Sequence, residues 1–339
     1  MTNEAKGNHY MEKNNEKELN INIALFLKKF LLLILLVLLV GIFGVFGANF
    51  FTLSNIKAIL IQSTYTMIIS MGLSLVIITG GMDLSVGYII SLCSSLYGVL
   101  YIKMGMSSTT AILTMIVASL LMGTLNGYLW TKIKVHALII TLSAQTLFRG
   151  LSYIISKSES MLGVDPIVIF FGSGTILGIP FNIILTVFLL LLTAFMLTKT
   201  YFGRKLYTTG GNEEVARLSG ANVTRLRISA FAICGFSAGI ASMILMGRST
   251  IASPTIGPGT EITCITACLL GGVTIGGGRG NVFNVALATI VLTMLANGMT
   301  ALKMDTYWQY VAKAMILVFA ISFDKYTQHK SARTIKPAH

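Results

Sequence analysis

"TTGGNEEVARLSGANVTRLR" spans residues 208–227 and interrupts an apolar chain. Residues 181–197 before it and 228–246 after it are almost wholly hydrophobic. Runs of this kind match the roughly 20 residues that a helix needs to cross a hydrocarbon core of about 30 Å. Inside that core every backbone amide must be satisfied by the chain itself, which a helix achieves alone. The stretch therefore reads as a polar connection between two spanning helices, and it is longer than a connection requires.

Outward from it, further apolar segments fall at about 28–48, 56–79, 84–103, 109–130, 137–155, 262–275, 282–299 and 306–324; with 180–199 and 227–247 they make ten. The expected fold class is all-α, a polytopic membrane helix bundle of about ten spans. The chain is 54% hydrophobic and 11% charged, with mean hydropathy +0.79, whereas soluble domains carry about 25% charged residues. Residues 1–27 are polar, and the first apolar run follows Lys28 and Lys29 without a small-residue cleavage site. It reads as a retained helix rather than a signal peptide.

Ten spans that start inside place both termini in the cytosol. Lys and Arg concentrate on the cytosolic side of membrane proteins. Of the 25 in this chain, 18 fall on segments that this topology makes cytosolic and 7 fall elsewhere. The net charge of +13 is accounted for by topology, and nucleic acid is not expected as a partner. The division is then a cytosolic tail (1–27), a membrane domain (28–325) carrying a cytosolic loop at 200–226, and a second cytosolic tail (326–339).

Within that loop, Asn212 suits a helix N-cap, and Glu213 and Glu214 suit the positive end of a helix dipole. Val215 and Leu218 share a face, and Gly220 can stop the helix. A two-turn amphipathic helix is expected between two spans. Two readings stay open: a lever docked by a partner, or a basic loop resting on lipid headgroups.

Asp83, in "GGMDLSVG" (80–87), is an acid in apolar surroundings, where acids are costly and tend to be functional. Three roles are open to it: helix cap or loop anchor, gating, and direct solute contact. The spacing of "GGMDLSVG" is shared by "GGVTIGGG" (271–278), and both suit sharp turns. Gln62, Ser63, Asn126, Gln145, Asn297 and Lys313 are polar groups in or at the ends of spans, open to solute contact or to helix packing. Cys93, Cys234, Cys264 and Cys268 show no local set of His, Asp or Glu that would complete a metal site; small packing residues are expected, with no metal and no cofactor. The four histidines are scattered, which argues against an intramembrane enzyme, and His136 is expected to be structural. No G-x-x-x-x-G-K-[ST] loop occurs, and "GGGRG" (276–280) lacks the lysine of a nucleotide site.

The chain resembles the membrane-spanning subunits of bacterial ABC-type sugar importers, in particular the ribose-type permeases. The resemblance covers about residues 45–325 and rests on "NFFTLSNIKAIL" (49–60), "ITGGMDLSVG" (78–87), "NGYLWTKIKVHALIITL" (126–142), "TTGGNEEVARLSGANV" (208–223), "SPTIGPGTE" (253–261), "LLGGVTIGGGRGNV" (269–282) and "NGMTALKMDTYWQYVAKAMIL" (297–317). It implies a non-catalytic permease in the bacterial inner or plasma membrane, forming the path for a monosaccharide such as ribose. ATP hydrolysis then belongs to separate cytosolic ATP-binding cassette subunits. Delivery belongs to an extracytoplasmic solute-binding protein, and a second permease copy or a paralogue completes a dimer within the lipid bilayer.

The same resemblance makes 208–223 the segment coupled to the ATPase, with matches at Gly210, Gly211, Asn212, Glu213, Ala216 and Gly220, and Leu218 on its apolar face. Gln62, Asp83, Asn126, Glu261 and Asn297 become candidates for the path or its gate. Relatives of this type usually carry Tyr-Glu-Leu-Asp where this chain has Thr260-Glu261-Ile262-Thr263. If those threonines touch the solute, its identity departs from the usual sugars; helix capping is the other reading of Thr260. Glu159, Asp165 and Glu261, on loops expected outside, are candidates for meeting the binding protein. Within the importer class a furanose-like signalling molecule or a nucleoside is the alternative cargo, and an ion-coupled secondary transporter is the alternative class.

Overall fold

The computed structural model describes residues 32–47 and 50–334, and across them the chain is a helix bundle. The expected tail at 1–27 lies outside the described residues. In chain order the helices are α1 (Leu32–Phe46), α2 (Leu53–Ile78), α3 (Val86–Gly98), α4 (Ser108–Ile133), α5 (Ala137–Ser156), α6 (Pro166–Ser173), α7 (Phe181–Lys199), α8 (Tyr201–Gly211), α9 (Glu213–Leu218), α10 (Val223–Ser249), α11 (Thr260–Leu270), α12 (Val282–Ala301) and α13 (Thr306–Thr334). Helix α3 continues as a π-helical turn, Val99–Lys103. Two-residue strands form two small antiparallel ladders. Strand β1 (Met161–Leu162) pairs with β4 (Ile251–Ala252), and β2 (Thr175–Ile176) with β3 (Ile179–Pro180).

All ten apolar segments read from the sequence fall on helices, α1–α5, α7 and α10–α13. Among the described residues, seven of those helices are long and apolar enough to cross a membrane: α2, α3 with its π turn, α4, α5, α7, α10 and α12. The segment at 262–275 departs from expectation. Its helix, α11, has 11 residues, or about 16 Å at 1.5 Å per residue, which is half of a hydrocarbon core. Pro254, Gly257, Pro258 and Gly259 keep the preceding chain out of the helix, and Gly271-Gly272 ends it. At the other extreme, α13 continues through Thr334, into the expected C-terminal tail.

Helix α10 is the centre and packs on α2, α3, α4 and α6. Glycine makes this possible. A methyl group at Gly123 of α4 would press on Phe231 O and Gly235 of α10, and one at Gly72 of α2 on Cys234 and Ser237. Between helices in lipid no hydrophobic drive favours contact, so close backbone approach through small residues supplies the packing. Helix α2 is buried along most of its length, while α4, α5 and α7 present Leu, Ile, Val and Phe outward, as lipid-facing spans do.

The bundle has two distinct ends. Helices α8 and α9 lie at one, with Lys132, Lys134, Arg204, Lys205, Arg217, Arg225 and Arg227 on or beside them; it is the basic end. The strand pair β1·β4 and helix α6 lie at the opposite end.

Candidate functional site

The polar island forms two helices rather than the single one expected. Helix α8 opens with Thr200 Oγ1 accepting from Gly203 N at 3.3 Å. Asn212 closes α8 and caps α9, its Oδ1 accepting from Val215 N at 3.1 Å. Gly220, at φ 73°, turns the chain out after α9. The expected apolar pair is present and uncovered: Val215 is 49% and Leu218 83% exposed, while Ala216 is fully buried.

Glu213 locks α9 to α10. One carboxylate oxygen accepts from Arg217 Nη2 at 2.6 Å, and the other from Arg227 Nη2 at 2.8 Å. Partial burial alone would raise the Glu213 carboxyl, but its bonds to Arg217 and Arg227 and their charges outweigh that and hold it below the usual carboxylate range. The Arg227 guanidinium lies 4.4 Å from the centre of the Trp130 ring, and Trp130 packs on Phe231 at 5.6 Å. Trp130 in turn covers Gly81. Local spacing could not reveal this chain, because Glu213 and Arg227 lie fourteen positions apart on different helices.

Helix α8 ends against two glycine turns. Helix α2 finishes with Gly80 at φ 83° and Gly81 N donating to Val76 O; α11 finishes with Gly272 at φ 83° and Val273 N donating to Cys268 O. Both are Schellman endings, in which a left-handed glycine follows the helix. The left-handed residue is the first glycine of one pair and the second of the other, so the two motifs correspond in conformation with a one-residue offset. Gly278 N, in the 274–279 turn that follows the α11 ending, donates to Ile78 O at 2.9 Å at the end of α2. Gly210 sits in this junction, where a side chain would strike Ile78 O and Gly278 N, whereas Gly211 faces open space. Tyr207 OH adds a bond to Gly280 O at 2.9 Å.

Asp83 and Asn126 come together through Ser85. Asp83 Oδ1 accepts from Ser85 N at 2.8 Å and Ser85 Oγ at 2.6 Å, and Asn126 Nδ2 donates to Ser85 Oγ at 2.8 Å. All three are fully buried. Ser85, not Asp83, occupies the N-cap position of α3; Asp83 Oδ1 is tied through Ser85 to Asn126 of α4, and Asp83 Oδ2 is buried without a hydrogen-bond partner.

Glu261 departs from its expected place at the outer surface. Residues 253–259 run down along α3: Ser253 N donates to Ser94 Oγ at 2.9 Å, Ser91 Oγ donates to Pro254 O, and Gly257 packs on Gly87 and Ile90. Helix α11 therefore begins within the bundle. Glu261 is buried there beside Gly87, its carboxylate accepting from Gly259 N at 2.9 Å. Burial removes it from the acids able to meet a partner. Thr260 does not cap the helix either; Gly259 holds that position and Thr260 Oγ1 donates to Gly257 O at 2.6 Å. Of the other acids at this end, Glu159 pairs with Lys103 Nζ at 2.6 Å, and Asp165 caps α6 through Ile167 N at 2.8 Å.

A cavity of about 190 Å³ opens beside the start of α11, lined by Gln62, Thr260, Thr263 and Lys313 among others. Of Gln62, Asp83, Asn126, Glu261 and Asn297 only Gln62 reaches it, joined there by Lys313, Thr260 and Thr263, which the sequence also left open to solute contact. Asn297 lies next to its lining residue Ala296, with its side-chain oxygen buried and unpaired. The four cysteines are buried free thiols, and no group of metal-binding side chains occurs among the described residues.

A family model described as "Branched-chain amino acid transport system / permease component" matches residues 55–321. The ribose import permease protein RbsC of Escherichia coli strain K12 is 32% identical over 290 residues, which cover 83% of this chain and 88% of that protein. The RbsC of Bacillus subtilis strain 168 is 34% identical over 273 residues, 80% of this chain and 84% of its own. The L-arabinose transport system permease protein AraH of E. coli K12 is 34% identical over 299 residues, covering 85% and 87%. No solved structure matches the chain. With a family model spanning most of its length and a multi-pass helical bundle beneath it, the chain belongs to the family of transport-system permease components.

Proposed function

We propose that this chain is the membrane-spanning half of an ATP-driven importer for a monosaccharide, ribose or a sugar close to it. The basic end faces the cytosol, ten helices cross or enter the bilayer, and both termini are cytosolic. Cytosolic ATP-binding cassette subunits, separate from this chain, hydrolyse ATP and dock on α8 and α9. A solute-binding protein delivers cargo at the opposite end, and a second permease copy or a paralogue completes the channel. The chain itself performs no chemistry.

One observation carries this reading. The polar island presents an uncovered apolar residue, Leu218, while its other side is wedged at Gly210 between the end of α2 and the turn at Gly277–Gly278. A load applied at α9 is thus delivered to the end of α2 and to the 274–279 turn that joins the half-length helix α11 to α12. A basic loop lying on headgroups has no use for such a wedge. The relatives' names favour a sugar over a furanose-like signalling molecule or a nucleoside. Asp83 is held by Ser85 through one carboxylate oxygen, the other being buried without a partner, and it is the permease family rather than this acid that argues against an ion-coupled mechanism.

The test is uptake of radiolabelled ribose by cells with and without the gene, with unlabelled galactose, xylose and a nucleoside as competitors. ATP-dependent ribose uptake that vanishes on deletion and resists the competitors is the expected result. Uptake that persists when ATP is depleted but follows a proton or sodium gradient refutes the class; ribose uptake unchanged by deletion leaves the importer class standing and moves the cargo elsewhere.

A further inference from the structure

The cavity beside α11 is built for a solute that both gives and takes hydrogen bonds. It lies within the bundle: Lys313, Thr293 and Gln62 are seven, eight and nine residues in from the helix ends at Thr306, Ala301 and Leu53, or about 10–14 Å deep at 1.5 Å per residue. Its volume of about 190 Å³ is far more than the roughly 10–15 Å³ that admits one water. It is below the roughly 300–1,000 Å³ of drug-sized pockets.

The wall divides by hydrogen-bond chemistry. Thr260, Thr263 and Thr293 each donate their one hydroxyl hydrogen to a backbone carbonyl, those of Gly257, Gly259 and Thr289. Toward the cavity they therefore offer lone pairs. Lys313 makes no ion pair among the described residues, and no carboxylate lines the cavity. Its ammonium offers three donors, and the Gln62 amide adds both a donor and an acceptor. A partly buried cation without a partner is costly in a bundle of this kind, and Lys313 gains from any oxygen-rich guest.

This pattern excludes most guests. A bare anion satisfies Lys313 but has no hydrogens for the threonines. A cation is repelled by the ammonium, and an apolar molecule strands both sets. A polyhydroxylated solute satisfies donors and acceptors together. We infer that this cavity is a station on the solute's path that holds one monosaccharide-sized polyol, with its oxygens at Lys313 and Gln62 and its hydroxyl hydrogens toward Thr260 and Thr263. The inference rests on the proposed importer function and assigns the place within the chain where the sugar is held.

The experiment uses the complete importer in cells, with Thr263→Cys as the reporter and ribose as the probe. Transport by wild type is measured first. A small charged thiol reagent is then applied to Thr263→Cys, with wild type, whose four cysteines are buried, as control. Reaction of Thr263→Cys is expected to block uptake and to be slowed about tenfold by saturating ribose, a change equivalent to about 1.4 kcal/mol of occupancy. Adding Lys313→Met to the reporter is expected to abolish that protection at unchanged membrane abundance, and Lys313→Arg to restore part of it. If wild type carries ribose yet labelling ignores it, or if protection survives Lys313→Met, this inference falls and the importer reading stands. If wild type carries no monosaccharide, both fall together.

Discussion

Replacing Glu213 by Gln tests whether α9 is a lever, because it unlocks the helix without changing its shape. The acid makes two ion pairs that differ in worth. Arg217 is 64% exposed and four residues along the same helix, so that pair contributes about 0.3–0.5 kcal/mol. Arg227 is 19% exposed, faces the same acid at 2.8 Å and is held by Trp130. That pair, discounted for the 38% exposure of Glu213, contributes about 1 kcal/mol. The sum, about 1.4 kcal/mol, corresponds to a tenfold fall in the ratio of held to released α9. Nothing in the membrane core depends on it, so the bundle keeps its stability. The expected result is transport slowed up to tenfold at saturating solute, with normal protein in the membrane and a melting temperature within a few degrees of wild type. Initial uptake rates, immunoblotting of membranes and a thermal melt in detergent measure the three. A cycle with Arg227→Gln should show the two substitutions to be strongly non-additive. Uptake by Glu213→Gln equal to wild type at equal abundance refutes the lever. So does additivity with Arg227→Gln, since the force would then travel elsewhere.

Three further outcomes follow from the same geometry. Gly210→Ala should stop transport, because its methyl group has no room beside Ile78 O and Gly278 N, an overpacking cost of about 1–3 kcal/mol. Gly211→Ala, one residue on and facing open space, should transport normally. Asp83→Ala should destabilise the fold by about 1–3 kcal/mol by stranding the buried Ser85 amide and hydroxyl, whereas Asp83→Asn keeps an acceptor and should be milder; membrane abundance and melts compare them. Glu159, at the end opposite the basic one, has its carboxyl held below the usual range by its bond to Lys103. A depressed carboxylate contributes stability above its unfolded pKa and loses it as pH falls through the lowered folded value. Mild acidification of the medium should therefore leave the Lys103–Glu159 bridge intact, and melts of Glu159→Gln and wild type should converge only below the ordinary carboxylate range.

What the sequence disclosed follows from what is local. Spans are set by apolar length, and each apolar run did become a helix. The cap at Asn212 and the stop at Gly220 act within four residues of themselves, so both were readable. Depth was not. The run at 262–275 has the composition of a span, but its helix has only 11 residues because residues 253–259 are spent descending along α3 through serine and glycine contacts. Those partners, Ser94 and Ser91, lie about 160 residues earlier in the chain. The same descent carried Glu261 from a presumed outer loop to a buried position beside Gly87. The glycine pairs illustrate the boundary between the two kinds of information. Their spacing predicted turns, and turns they are, yet only the fold brings Gly80, Gly278 and Gly210 to one point. In the proposed function that meeting is why the polar island is twenty residues long: the chain leaves the bilayer, wedges one glycine between the end of α2 and the 274–279 turn, and still presents Leu218 to a docked partner.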